Sequence, residues 1–170
     1  MEILTMKKII FLFAAALCLG GCCCMNRDSA VEDAKKLIRE NRAECIVVRN
    51  GNIAALERGR GVSPLLKIYD TRPDVMKGAV VVDKVIGRAA AFVIIKGKSS
   101  AVYGKITSED AVKLLAEHKI PVTYDLLVPR ILNQKRNGLC PLEDSVKGID
   151  DADAALESMR KRISELRRRK

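Results

Sequence analysis

Residues 78–95 read Gly-Ala-Val-Val-Val-Asp-Lys-Val-Ile-Gly-Arg-Ala-Ala-Ala-Phe-Val-Ile-Ile. From Asp83 to about Ile95 the run is apolar nearly all round, which predicts a helix with no solvent-facing stripe, buried in the middle of the fold. Residues 91–95 alone also fit a strand, because a short apolar run carries no distinguishing period. Gly87, inside that expected helix, would let a neighbouring element approach closely. Asp83 would cap its buried amino end, where backbone N–H groups need an acceptor.

The flanks supply the other layers. Upstream, Ser29 and Glu32 have capping-box spacing, and Val31, Ala34, Leu37 and Ile38 mark a helix stripe to about Asn41. Cys45-Ile-Val-Val48, Asn50-Gly51-Asn52 and Ile53-Ala-Ala-Leu56 form a strand, turn and strand, a hairpin signature. Arg58-Gly59-Arg60-Gly61 is a flexible basic loop, and Ser63-Pro64 is expected to cap a helix carrying Leu65, Leu66, Ile68 and Tyr69. After Arg72-Pro73-Asp74 comes one further short helical turn.

Downstream, a strand from Ala101 to about Ile106 leads to a helix capped by Ser108, followed by a strand over Pro121–Leu127. Cys140-Pro141 opens a helix to about Val146, and a last helix from Asp150-Asp151 carries Leu156, Met159, Ile163 and Leu166 at spacings of three and four. Alternation of hairpin, helices and strands predicts a three-layer α/β/α sandwich around a mixed sheet.

The amino-terminal segment has a different character. Lys7 and Lys8 precede an apolar stretch from Ile9 to Leu19, shorter than the roughly 20 residues a membrane span needs. It therefore reads as a secretory signal. Its end, Leu19-Gly20-Gly21-Cys22, resembles a bacterial lipobox, in which the cysteine thiol accepts a lipid. The expected organisation is a signal peptide over 1–21, a linker from lipidated Cys22 over 22–30, one domain over 31–151 and a basic helix over 152–170. A bacterial envelope location, tethered to a membrane through Cys22, follows from that reading. Translation from Met25 would instead leave a cytoplasmic protein.

Charge is uneven along the chain. The formal net charge is +10, yet residues 160–170 alone hold seven basic residues against one acidic, so the domain itself is only mildly basic. A nucleic-acid-binding domain would spread its cations over a folded face, and no nucleic-acid partner is expected. The basic end reads first as a solvated amphipathic helix terminus. Contact with anionic lipid or with a partner helix is the alternative. Of six cysteines, only Cys45 and Cys140 fall in the domain. They could form one disulfide, although Cys45, inside an apolar strand pattern, reads better as a buried free thiol.

Four stretches resemble the bacterial and archaeal family known as domain of unknown function 1893: residues 34–40 (Ala-Lys-Lys-Leu-Ile-Arg-Glu), 60–66 (Arg-Gly-Val-Ser-Pro-Leu-Leu), 78–91 and 138–143 (Gly-Leu-Cys-Pro-Leu-Glu). The resemblance spans about Val31 to Asp151. It implies a cytidine-deaminase-like fold with a sheet of about five strands and helices on both faces. Zinc deaminases carry His-x-Glu at one helix start and Pro-Cys-x-x-Cys at another. Here the corresponding starts fall at Val82-Asp83-Lys84 and Cys140-Pro141-Leu142-Glu143 on that reading, and the single histidine, His118, lies late in a different helix. With three protein ligands the norm for catalytic zinc, neither a metal nor another cofactor is implied.

The same resemblance places those two helix starts face to face. Cys140 and Asp83 become candidate catalytic residues, the thiolate favoured by backbone N–H groups at a helix amino end. Lys84, Arg60 and Ser63 become candidate ligands for a small polar or anionic molecule. Structural capping accounts for Asp83, Pro141 and Glu143 equally well without chemistry. The function read from sequence is a small-molecule binding domain, with Cys140-dependent chemistry as an extension. The alternative is a non-catalytic interaction or scaffold module.

Overall fold

The computed structural model describes residues 21–168. The expected n-region, apolar stretch and first lipobox residues lie outside them. Among the described residues no helix is long and apolar enough to cross a membrane.

The elements, in chain order, are α1 (Gly21–Arg39), β1 (Cys45–Arg49), β2 (Asn52–Glu57), α2 (Ser63–Thr71), α3 (Pro73–Met76), β3 (Val80–Ile86), α4 (Arg88–Lys96), β4 (Ala101–Ser108), α5 (Glu109–Glu117), β5 (Val122–Val128), α6 (Pro141–Ser145) and α7 (Ala152–Arg168). The five strands lie in the order β2-β1-β3-β4-β5. β1 runs antiparallel to both β2 and β3, and β3, β4 and β5 run parallel. The mixed sheet with helices on both faces is the α/β architecture anticipated from the alternation of elements.

Local chemistry explains most boundaries. Asn50 and Gly51 both have positive φ, 51° and 75°, as a tight two-residue hairpin turn requires. Ser108 accepts the Ala111 N–H at 3.2 Å and so caps α5. One boundary differs from expectation. Asp83 and Lys84 lie within β3 and cap no helix; the strand runs on to Ile86, and the helix starts only at Arg88 with Gly87 as its N-cap. The β-branched residues Val80, Val81, Val82, Val85 and Ile86 suit a strand flanked on both sides. Gly87 then ends it. Two smaller differences are that α1 starts at Gly21 and that Val62, not Ser63, is the N-cap of α2.

The two sheet faces are unequal. On one, Cys45, Val47, Val81 and Val102 pack with α2, α4, α5 and α7, and six successive residues of α4, Ala89–Ile94, are buried. Each large side chain so buried contributes roughly 1.5–3 kcal/mol. On the other face, among the described residues, α1 covers Ile46, Val48, Val82 and Tyr103 through Ala34 and Ile38. Its early turns, Asp28 and Val31, lie beside Val80, Ala101 and Pro121 at the beginnings of the parallel strands.

The far end of α1 is clamped to the middle of β5. Arg39 donates to both Asp125 oxygens, at 2.9 and 2.7 Å, and the Tyr103 hydroxyl donates to the same carboxylate. These partners, the Arg39 guanidinium first, hold the Asp125 carboxyl down at about 2. β5 forms an edge that is apolar yet open to solvent, with Leu126 53% exposed and Tyr124 41% exposed.

Candidate functional site

β2 and β3 both run antiparallel to β1, so their carboxyl ends share one pole of the sheet. In open α/β sheets that pole is where ligands are held. A cavity of about 340 Å³ opens there, lined by Glu44, the Gly59-Arg60-Gly61 loop, Asp83, Lys84, Val85 and Gln134. Gly61 has φ +56°, a left-handed turn that swings the chain from β2 towards α2.

Asp83 is the unusual group in this wall. Only 5% of it is exposed, and it stands opposite the fully buried Cys45 in the β1/β3 register. Its Oδ1 accepts the Val85 N–H at 2.9 Å. Burial pushes its carboxyl up to about 7, against the pull of the Val85 N–H and the Cys45 thiol. Burial, reinforced by the Asp83 charge, also raises the Cys45 thiol well above its ordinary value, so Cys45 stays protonated and inert. Near neutral pH Asp83 can therefore donate or accept a hydrogen bond. Lys84 Nζ sits 3.3 Å from Glu44 at the rim, and Arg60 is exposed on the loop.

The structure thus brings Asp83, Lys84 and Arg60 together and leaves Cys140 and Ser63 out of this cavity. Cys140 is the N-cap of α6, half-buried against the main core, with its N–H donated to Ile131 O at 3.0 Å. It and Cys45 are free thiols. Ser63 begins α2 and faces a different cleft. Among the described residues, no three His, Cys, Asp or Glu side chains converge as a metal-ligand set.

Two helix starts do meet at this pole, although one is not where the sequence suggested. Glu143, on α6, reaches the amino end of α4, accepting the Arg88 N–H at 2.9 Å and the Ala89 N–H at 3.0 Å. A Cβ at Gly87 would collide with that carboxylate, which explains the glycine. Arg88 in turn donates to Ile149 O at 2.7 Å and pairs with Asp150 at 2.8 Å, so the start of α4 is locked to the segment between α6 and α7. Burial raises the Glu143 carboxyl, and the two N–H groups oppose that shift. Sequence reasoning placed Glu143 only in the first turn of its own helix, and it missed Glu44 and Gln134 as cavity residues. A contact across 55 positions leaves no local signal, whereas Glu44, next to Cys45 in the strand paired with Asp83, was within reach of a register argument.

The family model described as Domain of unknown function (DUF1893) matches residues 33–163, and the chain belongs to that family. Among solved structures, it is similar to a crystal structure of a DUF1893 family protein from Thermotoga maritima, with a TM-score of 0.69 at 25% identity, covering 81% of this chain and 90% of that one. No curated protein matches the chain.

Proposed function

We propose that this DUF1893-family chain is a membrane-tethered, deaminase-like domain that binds a small polar or anionic ligand without zinc, in the cavity at the carboxyl end of β3. The observation that carries this reading is the buried Asp83 carboxyl in the wall of a roughly 340 Å³ cavity whose rim holds Arg60 and Lys84. Pockets of that size with a few convergent polar groups are the usual form of small-ligand sites. Arg60 attracts an anionic group, with Lys84 shared between it and Glu44, while Asp83 supplies an orienting hydrogen bond whose sense changes near neutrality. The mixed five-stranded sheet supports the deaminase-like comparison at the level of architecture, and architecture alone assigns no chemistry.

The test is a thermal-shift series on the full chain with cytidine, cytidine monophosphate and small carboxylates, repeated with Asp83→Asn and Arg60→Ala. A saturable rise in Tm that both substitutions reduce supports the reading. A rise indifferent to both sinks it.

Cys140-dependent chemistry is a separable part of the proposal. It predicts that Cys140 is alkylated faster than in the unfolded chain and that the rate responds to Asp83→Asn. A slow, Asp83-independent rate restricts Cys140 to its place at the start of α6. Tethering rests on the lipobox-like Leu19-Gly20-Gly21-Cys22. It predicts incorporation of radiolabelled palmitate that Cys22→Ser abolishes.

The second reading, a non-catalytic interaction module, draws on β5. An apolar, solvent-open edge strand is a template for pairing with another strand. Asp125, the strand's one charged residue, is already committed to Arg39 and Tyr103. Sedimentation of the full chain in detergent distinguishes the readings: a dimer reduced to monomer by Leu126→Lys favours the module, and a monomer throughout removes it.

A further inference from the structure

On the same side of the sheet as α4, α2 along its length and the end of α7 enclose a second cleft, of about 630 Å³. Its cations fall into two groups. Lys67 and Arg160 are neutralised locally, by Glu57 at 2.8 Å and Asp70 at 2.6 Å. Arg58, Arg167 and Arg168 line the cleft too, and among the described residues none of these three has a carboxylate partner. The Arg58 guanidinium is oriented by a 2.9 Å hydrogen bond from Nε to Arg42 O. Three unneutralised guanidiniums around one concavity form a fork-like donor array suited to phosphate oxygens.

Pro64, Leu66 and Ile163 form an apolar part of the wall, with the hydroxyl residues Ser63, Thr71 and Ser164 beside them. The backbone at the start of α2 adds little to this array, because the Ser63 N–H is given to Arg60 O at 3.3 Å and Pro64 has none. We infer that this cleft binds an organic phosphate, with the phosphate against Arg58, Arg167 and Arg168 and an apolar or aromatic body against Pro64, Leu66 and Ile163. The site is distinct from the Asp83 cavity.

A phosphate can come from a soluble metabolite or from a lipid headgroup. The start of α1 lies at the beginnings of the parallel strands, whereas this cleft lies beyond the end of β2, at the opposite pole. An α-helix of 19 residues is about 28 Å long. That separation favours a soluble ligand over headgroups of a bilayer approached through the start of α1.

The experiment is isothermal titration of the full chain in neutral detergent, at fixed ionic strength, with phenyl phosphate and with inorganic phosphate. The expected result is saturable phenyl phosphate binding, tighter than that of inorganic phosphate. R167A/R168A should weaken it at least tenfold with the melting curve unchanged, and Asp83→Asn should leave it intact. Absence of saturable binding, or binding that survives R167A/R168A, overturns the assignment. Loss on Asp83→Asn alone also overturns it, by placing the ligand in the other cavity. Repeating the titration in phosphatidylcholine and phosphatidylglycerol vesicles separates the sources. Binding retained in both identifies a soluble phosphate, and binding displaced only by phosphatidylglycerol identifies a headgroup in the same arginine fork.

Discussion

Two helices start at the same pole of the sheet and solve the same electrostatic problem in opposite ways. Every helix leaves its first N–H groups without an internal partner. At α4 the problem is solved from within: Glu143 arrives from α6 and accepts the Arg88 and Ala89 N–H groups. At α2 no side chain performs that service, and the helix instead opens on a cleft rimmed by arginines. An internally capped start acts as a joint that fixes α6 and α7 to the core. At α2 the Ser63 N–H goes to Arg60 O at 3.3 Å and Pro64 has none, so only the unpaired arginines nearby remain available to an external anion. The position of a helix end in a fold therefore says less about its use than the identity of the group that faces it.

The strongest test of that contrast sits between the two helices, at Asp83. Its carboxyl is raised from 3.8 to about 7, so the folded state holds a proton that the unfolded state gives up across that interval. The associated stability is fully present below the unfolded value and lost as pH rises through the folded one. At 1.4 kcal/mol per pKa unit, wild type should lose roughly 4 kcal/mol between about pH 4 and 7. Urea melts of Asp83→Asn should lose most of that slope and keep the smaller part due to Glu143, whose carboxyl burial also raises. An equal slope in both proteins would mean that another group carries it.

Next comes Glu143→Ala, which strands two N–H groups in a partly buried joint. The expected loss is about 3 kcal/mol. A loss below about 1 kcal/mol would erase the distinction between the capped and uncapped helices. Gly87→Ala should cost about 1–2 kcal/mol by pushing a methyl group into the Glu143 carboxylate. The double variant Gly87→Ala/Glu143→Ala should then cost less than the two single losses combined. Strict additivity would show that the two residues do not meet. The smallest effect belongs to Ser63→Ala: because Ser63 is not the N-cap, chemical denaturation should register less than about 0.5 kcal/mol. A loss near the roughly 1 kcal/mol typical of a true cap would reverse the assignment at α2.

Sequence patterns located elements best where the chain carries its own punctuation. Asn50-Gly51 marked the hairpin, and Ser108 marked the start of α5. Leu156 and Met159, read as a stripe, are buried in the core. Legibility failed at Val80–Ile86, because an element surrounded by protein has no polar face and hence no period. The β-branched run and the glycine after it were the available signals. For the candidate site, Asp83, Lys84 and Arg60 were named from sequence and share one cavity, although Asp83 was placed at a helix start rather than in a strand. Gln134 lies in an irregular segment between β5 and α6, where nothing local points across the molecule. Cys140 does begin α6, but the closeness to Asp83 that the family resemblance implied is absent, since Cys140 lies outside the Asp83 cavity.

The clamp at the end of α1 has a mechanical consequence. Among the described residues this helix covers its face of the sheet, and its two-bonded ion pair, Arg39 to Asp125, is at the end farthest from Gly21. A load applied at the amino end along the helix axis would shear the Ala34 and Ile38 contacts together before it reached that ion pair. A load applied sideways would peel the same contacts one turn at a time. The domain should therefore resist tension along α1 far better than tension across it.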